Sequence, residues 1–318
     1  MNANPWPRIV VLGAGAVGCY FGGMLARAGA PVTLIGRPVH VESLQRDGLL
    51  LDTLHFREHV PIAASTDAAA VAGANVVLFC VKSGDTETAA RAMAPYLARG
   101  ATVVSLQNGV DNAARMRPLV DAEVIAAVVY VGCQMAGPGH VRHTGRGDLV
   151  VGGRTGAIED RRRAEAVSAM FGRAGVPCRV SDNVDGELWT KLIINCAYNA
   201  ISALSRLPYG RMLANTWSRD LVPQVVEEAV AVARADGVKL EAEGLLDRVL
   251  KIGEAMPGQI SSTAQDIALG KPTEIDSLNG YVVRRADALG VAAPVNRTLH
   301  ALVKLLEDAA VKARPASA

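Results

Sequence analysis

Short apolar runs and longer helical stretches alternate through the first half of the chain. Five runs are rich in Val and Ile and are predicted to be strands: 8–12, 31–36, 75–81, 101–106 and 123–132. Between the first two, residues 13–29 predict a turn followed by a helix. Continuous apolar strands separated by helices are typical of a parallel sheet that is covered on both faces. Residues 140–153 predict a hairpin that is added late in this part of the chain.

The pattern changes after Ser181. From Asn183 to Glu307 the sequence shows no convincing strand. Periodic apolar segments, with prolines at or near their ends, instead predict helices at 184–205, 217–236, 241–255, 276–289 and 295–308. The predicted fold class is therefore α/β. A mainly parallel sheet forms a first domain of residues 1–182, and a second domain of residues 183–318 is all helical.

The composition is that of a soluble globular protein, with 50% hydrophobic and 20% charged residues in a chain of 318. This length suits two domains that each bury a core. The net charge of +2 and the lack of Lys and Arg runs give no case for a nucleic-acid partner. No apolar run reaches the ~18 residues of a membrane helix, so no membrane partner is predicted.

Other features of the composition argue against secretion and metal binding. The N-terminus, MNANPWPRIVVLG, lacks the basic and apolar regions of a signal peptide, so the expected location is the cytoplasm. The five cysteines are scattered without a C-x-x-C pair and are interpreted as small buried hydrophobic residues. The six histidines show no H-E-x-x-H spacing, and no metal site is predicted.

The first strand runs directly into a glycine-rich turn of the form G-x-G-x-x-G. Its residues are Gly13, Ala14, Gly15, Ala16, Val17 and Gly18. Glycine allows the tight turn, the close approach of a pyrophosphate to the backbone and the close packing of helix on strand. The helix N-terminus then favours an anion through its unpaired N–H groups and its dipole. Because the motif follows a strand and opens a helix, we predict a dinucleotide site; the alternative is a glycine turn without ligand.

The second predicted strand ends at Ile35-Gly36-Arg37. Domains that bind NAD often place Asp or Glu near this point to bond the 2′-hydroxyl of the ribose, whereas an arginine there meets a 2′-phosphate. A guanidinium attracts the phosphate and can bond it through two N–H groups. Arg37 therefore favours NADPH over NADH, unless it is simply an exposed loop residue.

Two further loops follow the predicted strands 75–81 and 101–106. They are VKSGDT at 81–86 and LQNGV at 106–110. In an open α/β sheet, ligands bind at the carboxyl ends of the strands. Lys82 and Asn108 are therefore placed to reach the cofactor or the reacting carbon, although each residue taken alone is more often a plain loop residue.

The predicted helix 184–205 carries polar residues within an apolar sequence. Lys191, Asn195 and Asn199 are four residues apart and form one slowly turning stripe, with Ser202 and Glu187 near the same face. Burying an unpaired amide costs about 1–3 kcal/mol, so these groups need partners. The stripe has three interpretations: a solvated face, a structural hydrogen-bond network, or one wall of a cleft that faces a small polar substrate. The pattern alone does not choose among them.

A second polar segment, QISSTAQDIALGKPTEIDSLNG, follows at 259–280. Ser262 and Glu274 are its candidate site residues. Both have a structural alternative, because Ser and Asp side chains in this segment are suited to capping helices, and Asp276 is placed to start the helix predicted nearby.

These motifs, taken together, resemble those of the ketopantoate reductases, also called 2-dehydropantoate 2-reductases. The matching stretches are GAGAVG, VKSGDT, QNGV, ELWTKLIINCAYNAISAL, SSTAQDI and GKPTEIDSLNGYVVRRA. They occur in the same order as in that family and extend from near residue 9 to about residue 300. The combination is far more specific than the glycine motif alone.

The resemblance implies a Rossmann domain followed by a helical domain like the C-terminal domain of 6-phosphogluconate dehydrogenase, with the active site in a cleft between them. It implies that NADPH reduces the C2 ketone of ketopantoate to pantoate, a step in the synthesis of pantothenate and coenzyme A. The partner would be a small-molecule 2-oxo acid. The apolar helical domain is compatible with a homodimer, but its own core needs the same apolar helices.

The resemblance also implies roles for individual residues. Lys191 matches the catalytic lysine, and Glu274 matches the acidic residue of the site. Substrate contacts are implied for Asn108, Asn195, Asn199 and Ser262. Cofactor contacts are implied for the glycine turn, Arg37, Lys82 and Asn108. Because an unperturbed lysine has a pKa of about 10.4, Lys191 would be charged near neutrality and suited to act as a general acid.

One position departs from the family pattern. The family often has an asparagine in the turn after the catalytic helix, where this chain has Pro208-Tyr209-Gly210. A tyrosine is larger and lacks the amide, so the exact substrate is left open. The alternatives are a reductase of another branched 2-oxo acid on the same scaffold and an NADP-binding redox sensor without turnover.

Overall fold

The computed structural model describes residues 5–153 and 158–312. The chain divides into two compact units. The first unit comprises residues 1–107 and 111–184. The second comprises residues 108–110 and 185–318.

The first unit is built on one sheet with helices between its strands. The described strands are β1 Ile9–Leu12, β2 Val32–Ile35, β3 Leu49–Asp52, β4 Arg57–Val60, β5 Ala63–Ser65, β6 Val76–Phe79, β7 Thr102–Ser105, β8 Glu123–Gly137, β9 His140–Gly152 and β10 Cys178–Val180. The described helices are α1 Ala16–Arg27, α2 Pro38–Asp47, α3 Thr86–Met93, α4 Asn112–Met116 and α5 Ile158–Arg173. Short 3-10 turns lie at Ala68–Val71, Ser83–Asp85, Ala94–Tyr96 and Arg117–Leu119.

The central strands run parallel in the order β5-β2-β1-β6-β7-β8. This is the order of the doubly wound dinucleotide-binding sheet. In that sheet the early strands are added on one side of the first strand and the later strands on its other side, so the strand order reverses there. Here the reversal lies between β1 and β6. Strand β1 is buried along its whole length, which explains why its sequence IVVL is a continuous apolar run rather than an alternating one.

The prediction that residues 140–153 form both strands of a hairpin is wrong. Residues 140–152 form the single strand β9, which pairs antiparallel with β8 along nearly its whole length. Strand β8 is also longer than the predicted 123–132. Beyond Gly132 its sequence is CQMAG, in which Met135 is the one large apolar residue, so the apolar signal fades where the strand no longer pairs with β7.

The second unit is helical, and its described part, residues 108–110 and 185–312, contains no strand. Its helices are α6 Val184–Ser205, α7 Tyr209–Leu213, α8 Thr216–Ala235, α9 Leu245–Ala255, α10 Ser262–Ala268, α11 Asn279–Leu289 and α12 Pro294–Lys312. One 3-10 turn lies at Ile275–Ser277. The mainly parallel sheet and the helical second unit confirm the predicted fold class.

The buried face of α6 forms much of the core of the second unit. The fully buried residues Ile193, Cys196 and Ala197 pack there with apolar side chains from α8, α9, α11 and α12. Two helix predictions need correction. The helix predicted from 241 begins only at Leu245, and the helix predicted from 276 begins at Asn279.

Asp276 therefore does not start α11. It lies in the 3-10 turn before that helix, and its carboxylate accepts hydrogen bonds from His300 at 2.7 Å and from Lys304 at 3.0 Å. A charge pair across the turn and α12 explains this aspartate better than helix capping does.

The neighbouring strands β3 and β9 are joined by an ionic cluster, which makes stability depend on pH. Hydrogen bonds from Arg142 and then His140 hold the pKa of Asp52 below its ordinary value. A carboxyl whose pKa is lowered by folding stabilises the fold above its unfolded pKa of about 3.9, and this contribution is lost as pH falls through the lowered value. We expect urea unfolding between pH 6 and pH 3 to show a smaller loss of stability in Asp52→Asn than in the wild type. Equal losses would contradict this assignment.

Candidate active site

The turn between β1 and α1 adopts a geometry that its glycines permit. Gly13 has a φ of +114°, and a Cβ there would lie 2.7 Å from the carbonyl carbon of Cys80. A Cβ at Gly18 would lie 2.1 Å from the carbonyl oxygen of Gly13. Both distances are far below van der Waals contact, so a larger residue at either position would push the backbone apart. Helix α1 is therefore packed against the turn as closely as glycine allows.

Gly15 differs from the other two glycines, because a Cβ there would meet no atom within 4 Å. The residue is exposed and directly precedes α1, whose first turn carries no acidic side chain. The N–H groups at the start of this helix therefore lie beside open space, with no carboxylate of that turn to compete for them. The turn fits the pyrophosphate of a dinucleotide, which the backbone from Gly13 to Gly18 would hold.

Arg37 lies two residues after the end of β2 and is the N-terminal cap residue of α2, with an exposed side chain. The residue before it, Gly36, lies against the glycine turn, since a Cβ there would be 2.6 Å from the Cβ of Ala14. The N–H groups of Gly13 and Ala14 both donate to the carbonyl oxygen of Ile35 at 2.9 Å. The end of β2 is thus tied to the glycine turn.

Lys82 is exposed on the loop after β6, immediately before the 3-10 turn Ser83–Asp85. Strand β6 lies next to β1 where the strand order reverses, and dinucleotides bind at this point in sheets of this type. The structure therefore places Lys82 at the same edge of the sheet as the glycine turn.

In the second unit, three of the predicted site residues form a chain of hydrogen bonds. Lys191 Nζ donates to Oδ1 of Asn108 at 2.9 Å, and Nδ2 of Asn108 donates to Oε2 of Glu274 at 3.0 Å. All three side chains are partly buried. Lys191 comes from α6, and Glu274 precedes the 3-10 turn Ile275–Ser277.

The chemistry of these groups fixes the orientation of the Asn108 amide. An ammonium only donates and a carboxylate only accepts, so the amide must turn its oxygen to Lys191 and its nitrogen to Glu274. An ammonium has three N–H groups, and the bond to Asn108 uses one of them. This bond constrains the position of the lysine nitrogen.

Asn199 and Ser262 form a second group with Thr263. Asn199 is buried, with 3% of its surface exposed, and its Nδ2 donates to Oγ of Ser262 and to Oγ1 of Thr263, both at 3.3 Å. Ser262 is exposed, and no described residue accepts its hydroxyl proton. Asn195 lies between Lys191 and Asn199 on α6. It is half-buried, and its side chain makes no hydrogen bond to another described residue.

Ser202, at the end of the polar stripe, has a structural role. It is fully buried, and its hydroxyl donates to the carbonyl oxygen of Leu207 at 3.0 Å and accepts from the N–H of Ser261 at 3.4 Å. Ser261 is the N-terminal cap of α10, because its Oγ accepts from the N–H of Ala264 at 3.1 Å. The capping alternative for Ser262 is therefore wrong. Of the interpretations of the stripe, a plain solvated face is excluded at Asn199 and Ser202.

Tyr209 packs into the helical core. Its ring stacks on Tyr198 with centroids 4.3 Å apart and an angle of 29° between the planes. Burial raises the pKa of its hydroxyl above the ordinary value. The replacement of the family's asparagine thus places an aromatic ring against another ring of the same core.

Two buried residues that hold the site were not predicted as such. Thr263 shares the amide of Asn199, and the fully buried Asn279 donates to the carbonyl oxygen of Cys196 at 3.3 Å and to Oδ1 of Asn296 at 3.0 Å. The bond from Asn279 to Cys196 connects the start of α11 to the middle of α6. The only sequence signal was the polar run Ser-Ser-Thr and an asparagine beside a glycine, which many turns share.

Within residues 5–153 and 158–312, neither Cys19 nor the possible metal ligands indicate a second reactive centre. Burial raises the pKa of the Cys19 thiol to about 12, which makes it unreactive near neutrality. The described residues hold no group of three or more His, Cys, Asp or Glu side chains that could bind a metal ion. Within the same residues, no helix is both long and apolar enough to cross a bilayer.

The strand order and the glycine turn are those of a dinucleotide-dependent oxidoreductase, and comparison with known proteins agrees. The family model described as "Ketopantoate reductase PanE/ApbA" matches residues 9–156, and its C-terminal counterpart matches residues 183–307. The chain belongs to the ketopantoate reductase family, as the sequence motifs predict. It is accordingly a nicotinamide-dependent reductase.

Relatives match nearly the whole chain. The 2-dehydropantoate 2-reductase of Halobacterium salinarum is 35% identical over 303 residues, which cover 94% of this chain and 99% of the relative. That of Pyrococcus horikoshii is 33% identical over 306 residues, covering 95% and 98%. A solved ketopantoate reductase of the PanE/ApbA family from Ralstonia eutropha is 55% identical, with a TM-score of 0.90 and coverage of 96% and 99%.

Proposed function

We propose that this chain reduces ketopantoate to pantoate with NADPH, as a step of pantothenate biosynthesis. The observation that carries the proposal is the chain of hydrogen bonds from Lys191 through Asn108 to Glu274. Curated relatives named for this reaction match at 33–35% identity over nearly their full length, which supports the same substrate. In this proposal residues 1–182 are the NADP-binding domain and residues 183–318 the helical catalytic domain.

The chemistry that the bound cofactor supplies is the hydride that arrives at C2 of the ketone. As C2 receives it, negative charge develops on the carbonyl oxygen, and a donor fixed at that oxygen stabilises the transition state more than the ground state. Lys191 is the proposed donor. Its ammonium is held by Asn108 and gives its proton to the oxygen as general acid, so the product leaves as an alcohol.

Glu274 acts on this step through Asn108 and through its own charge. Its carboxylate accepts from Asn108, so it fixes the amide that fixes Lys191. A nearby carboxylate also favours the charged form of a lysine, which is the form that can donate the proton. We assign to Glu274 the further task of orienting the substrate, through the substrate's hydroxyl group.

The other polar residues are proposed to bind the rest of the substrate. Asn195 has an amide that makes no bond to another described residue and is available to oxygen atoms of a ligand. The Ser262 hydroxyl accepts from Asn199, which leaves its proton for a negatively charged acceptor such as the substrate carboxylate. Asn199 thus orients Ser262 as well as lining the site.

Tyr209 gives no reason to prefer another branched 2-oxo acid over ketopantoate. The departure from the family pattern is taken up by stacking on Tyr198 within the helical core, so it does not itself call for a different substrate.

The experiment that tests the function is NADPH oxidation by the purified protein, followed at 340 nm with ketopantoate and a panel of other 2-oxo acids. Preference for ketopantoate is the expected result. NADPH oxidation with another 2-oxo acid only would support the mechanism but assign a different substrate. Tight NADPH binding without oxidation by any acid would support the redox sensor instead.

Arg37 is proposed to select NADPH. We expect Arg37→Ala to raise the Kd for NADPH by about 10-fold to 100-fold, since a charge-assisted bond to the 2′-phosphate contributes about 1.5–3 kcal/mol. The Kd for NADH should stay within about twofold, because NADH lacks that phosphate. Isothermal titration calorimetry with both cofactors measures the two effects.

Arg99→Ala is the matched control for this prediction. Arg99 is also exposed, but it lies on the turn before β7 and makes no bond to another described residue. Its removal should change neither Kd. An equal loss of NADH and NADPH affinity in Arg37→Ala would contradict the assignment to the 2′-phosphate.

A further inference from the structure

Five polar side chains are buried where β6 and β7 end, although neither the glycine turn nor the proposed chemistry uses them. They are Ser83, Thr86, Ser105, Gln107 and Asn112, each at most 5% exposed. They lie at the end of β7, on the two loops that carry Lys82 and Asn108, or shortly after those loops. Burying so many polar groups costs free energy unless each finds partners, so their contacts need an explanation.

Gln107 is the centre of this cluster. Its Oε1 accepts from the hydroxyl of Ser105 at 3.0 Å. Its Nε2 donates to Oγ1 of Thr86 at 2.8 Å and to the carbonyl oxygen of Val81 at 3.2 Å. Both ends of the amide are thus satisfied, and the orientation of the side chain is fixed.

The surrounding residues hold the same loops. Thr86 donates to the carbonyl oxygen of Ser83 at 3.0 Å and lies 3.1 Å from Oδ1 of Asn112. Arg115 also donates to the carbonyl of Ser83, at 3.0 Å, and is paired with both carboxylate oxygens of Glu87 at 2.6 and 2.7 Å. The loop after β6 is therefore fixed along its length from Val81 to Thr86.

The Gln107 amide connects the two loops beyond the point where backbone pairing between β6 and β7 ends. Strands β6 and β7 pair up to Phe79 and Ser105, and the last backbone bond runs from the N–H of Leu106 to the carbonyl of Phe79 at 2.9 Å. Beyond it, the side chain of Gln107 reaches across to the carbonyl of Val81. It therefore sets the distance between the loop after β6 and the loop after β7, which are no longer paired as strands there.

The peptide that directly precedes the carbonyl held by Gln107 forms the wall behind the glycine turn: Gln107 bonds the oxygen of Val81, and the turn lies against the Cys80–Val81 peptide. A Cβ at Gly13 would lie 2.7 Å from the carbonyl carbon of Cys80 and 2.8 Å from the nitrogen of Val81. The backbone of the turn therefore rests directly on the Cys80–Val81 peptide. A shift of Val81 of a few tenths of an ångström must move the turn or open a gap behind it.

We infer that Gln107 is a positioning residue for the dinucleotide: by holding the carbonyl of Val81, its side chain fixes the wall against which the glycine turn is set. This inference rests on the proposed cofactor site. It goes beyond it by assigning a role in cofactor affinity to a residue that makes its contacts only with the protein.

The test compares Gln107→Met and Gln107→Glu with the wild type by isothermal titration calorimetry with NADPH and with NADH, in the absence of substrate. Methionine has a similar length but makes none of the three bonds. Glutamate can still accept from the hydroxyls of Ser105 and Thr86, but it cannot donate to Val81 and repels that carbonyl. Both variants are expected to raise the Kd of the preferred cofactor by about tenfold or more.

A control separates positioning from general loss of stability. Ser168→Ala removes a hydrogen bond from the hydroxyl to the carbonyl of Cys178, in the same unit but between α5 and β10. It should lower the melting temperature without changing either Kd. A Kd that follows the melting temperature in all three variants would overturn the inference, as would an unchanged Kd in a folded Gln107 variant.

Failure of folding in both Gln107 variants would also overturn it, because Gln107 would then serve stability alone. The proposed function fails separately. A wild-type protein that binds NADH more tightly than NADPH, or does not turn over ketopantoate, refutes that proposal. The effect of Gln107 on the tighter of the two cofactors is still measured in that case.

Discussion

Lys191→Ala is expected to lower kcat for ketopantoate reduction by about 10²-fold to 10⁴-fold, the range that a general acid usually contributes. The ammonium is the donor proposed for the oxygen that becomes negative, and Asn108 holds it at 2.9 Å. Alanine leaves that oxygen without a donor at the moment when charge develops on it. Because the lysine is not assigned to the cofactor, the Kd for NADPH should stay within about twofold of the wild-type value.

Lys251→Ala is the control for charge and surface effects, since Lys251 is exposed on α9. It should have the wild-type kcat. Steady-state kinetics with saturating NADPH, together with calorimetric titration of NADPH, make the comparison. Wild-type turnover in Lys191→Ala would remove the lysine from the mechanism, and a loss of NADPH binding would assign it to the cofactor instead.

Gly18→Ala is expected to destabilise the first unit by about 3 kcal/mol and to abolish measurable NADPH binding. The added Cβ would lie 2.1 Å from the carbonyl oxygen of Gly13, which is part of the turn itself. Overpacking against side chains already costs about 1–3 kcal/mol, and here the obstacle is backbone that cannot rotate away. Helix α1 must therefore move off the turn that is proposed to hold the pyrophosphate.

Gly172→Ala provides the matched change in a helix without an obstacle. Gly172 is exposed in α5, and a Cβ there would meet no atom within 4 Å. That variant should gain about 0.5–1 kcal/mol, because alanine favours helix over glycine. Urea unfolding gives both values. A Gly18→Ala protein as stable as the wild type, with normal NADPH affinity, would contradict the proposed role of this close packing.

The strongest sequence signals predicted the central part of the fold. Each of the parallel strands β1, β2, β6 and β7 lies within a run that was predicted as a strand, because strands covered on both faces are rich in Val, Ile and Leu. Helix α6 has the predicted bounds, 184–205. Its length and period left little room for another assignment.

The edge of the sheet could not be predicted in the same way. Strand β4, with the sequence REHV, is mostly exposed, and β5 and β10 have only three residues each. Such segments are strands because a neighbour offers backbone hydrogen bonds, and their side chains carry little trace of it. The second half of β8 was missed for the same reason.

For the candidate site, sequence predicted residues but not their partners. The polar stripe on α6 indicated that Lys191 and Asn199 need hydrogen bonds. It did not indicate that Lys191 would bond Asn108, which is 83 residues away in the sequence. Contacts of this kind depend on the tertiary fold. The same holds for Gln107, which bonds Val81, Thr86 and Ser105. No local sequence pattern predicts that this glutamine is buried.

The most direct test of the central claim follows the hydride itself. The wild-type protein is supplied with ketopantoate and NADPH that carries deuterium at both C4 positions, and the product is analysed by mass spectrometry and NMR. The account predicts pantoate with one deuterium at C2, formed in step with NADPH oxidation. Unchanged ketopantoate with intact NADPH, or pantoate without deuterium at C2, would contradict it.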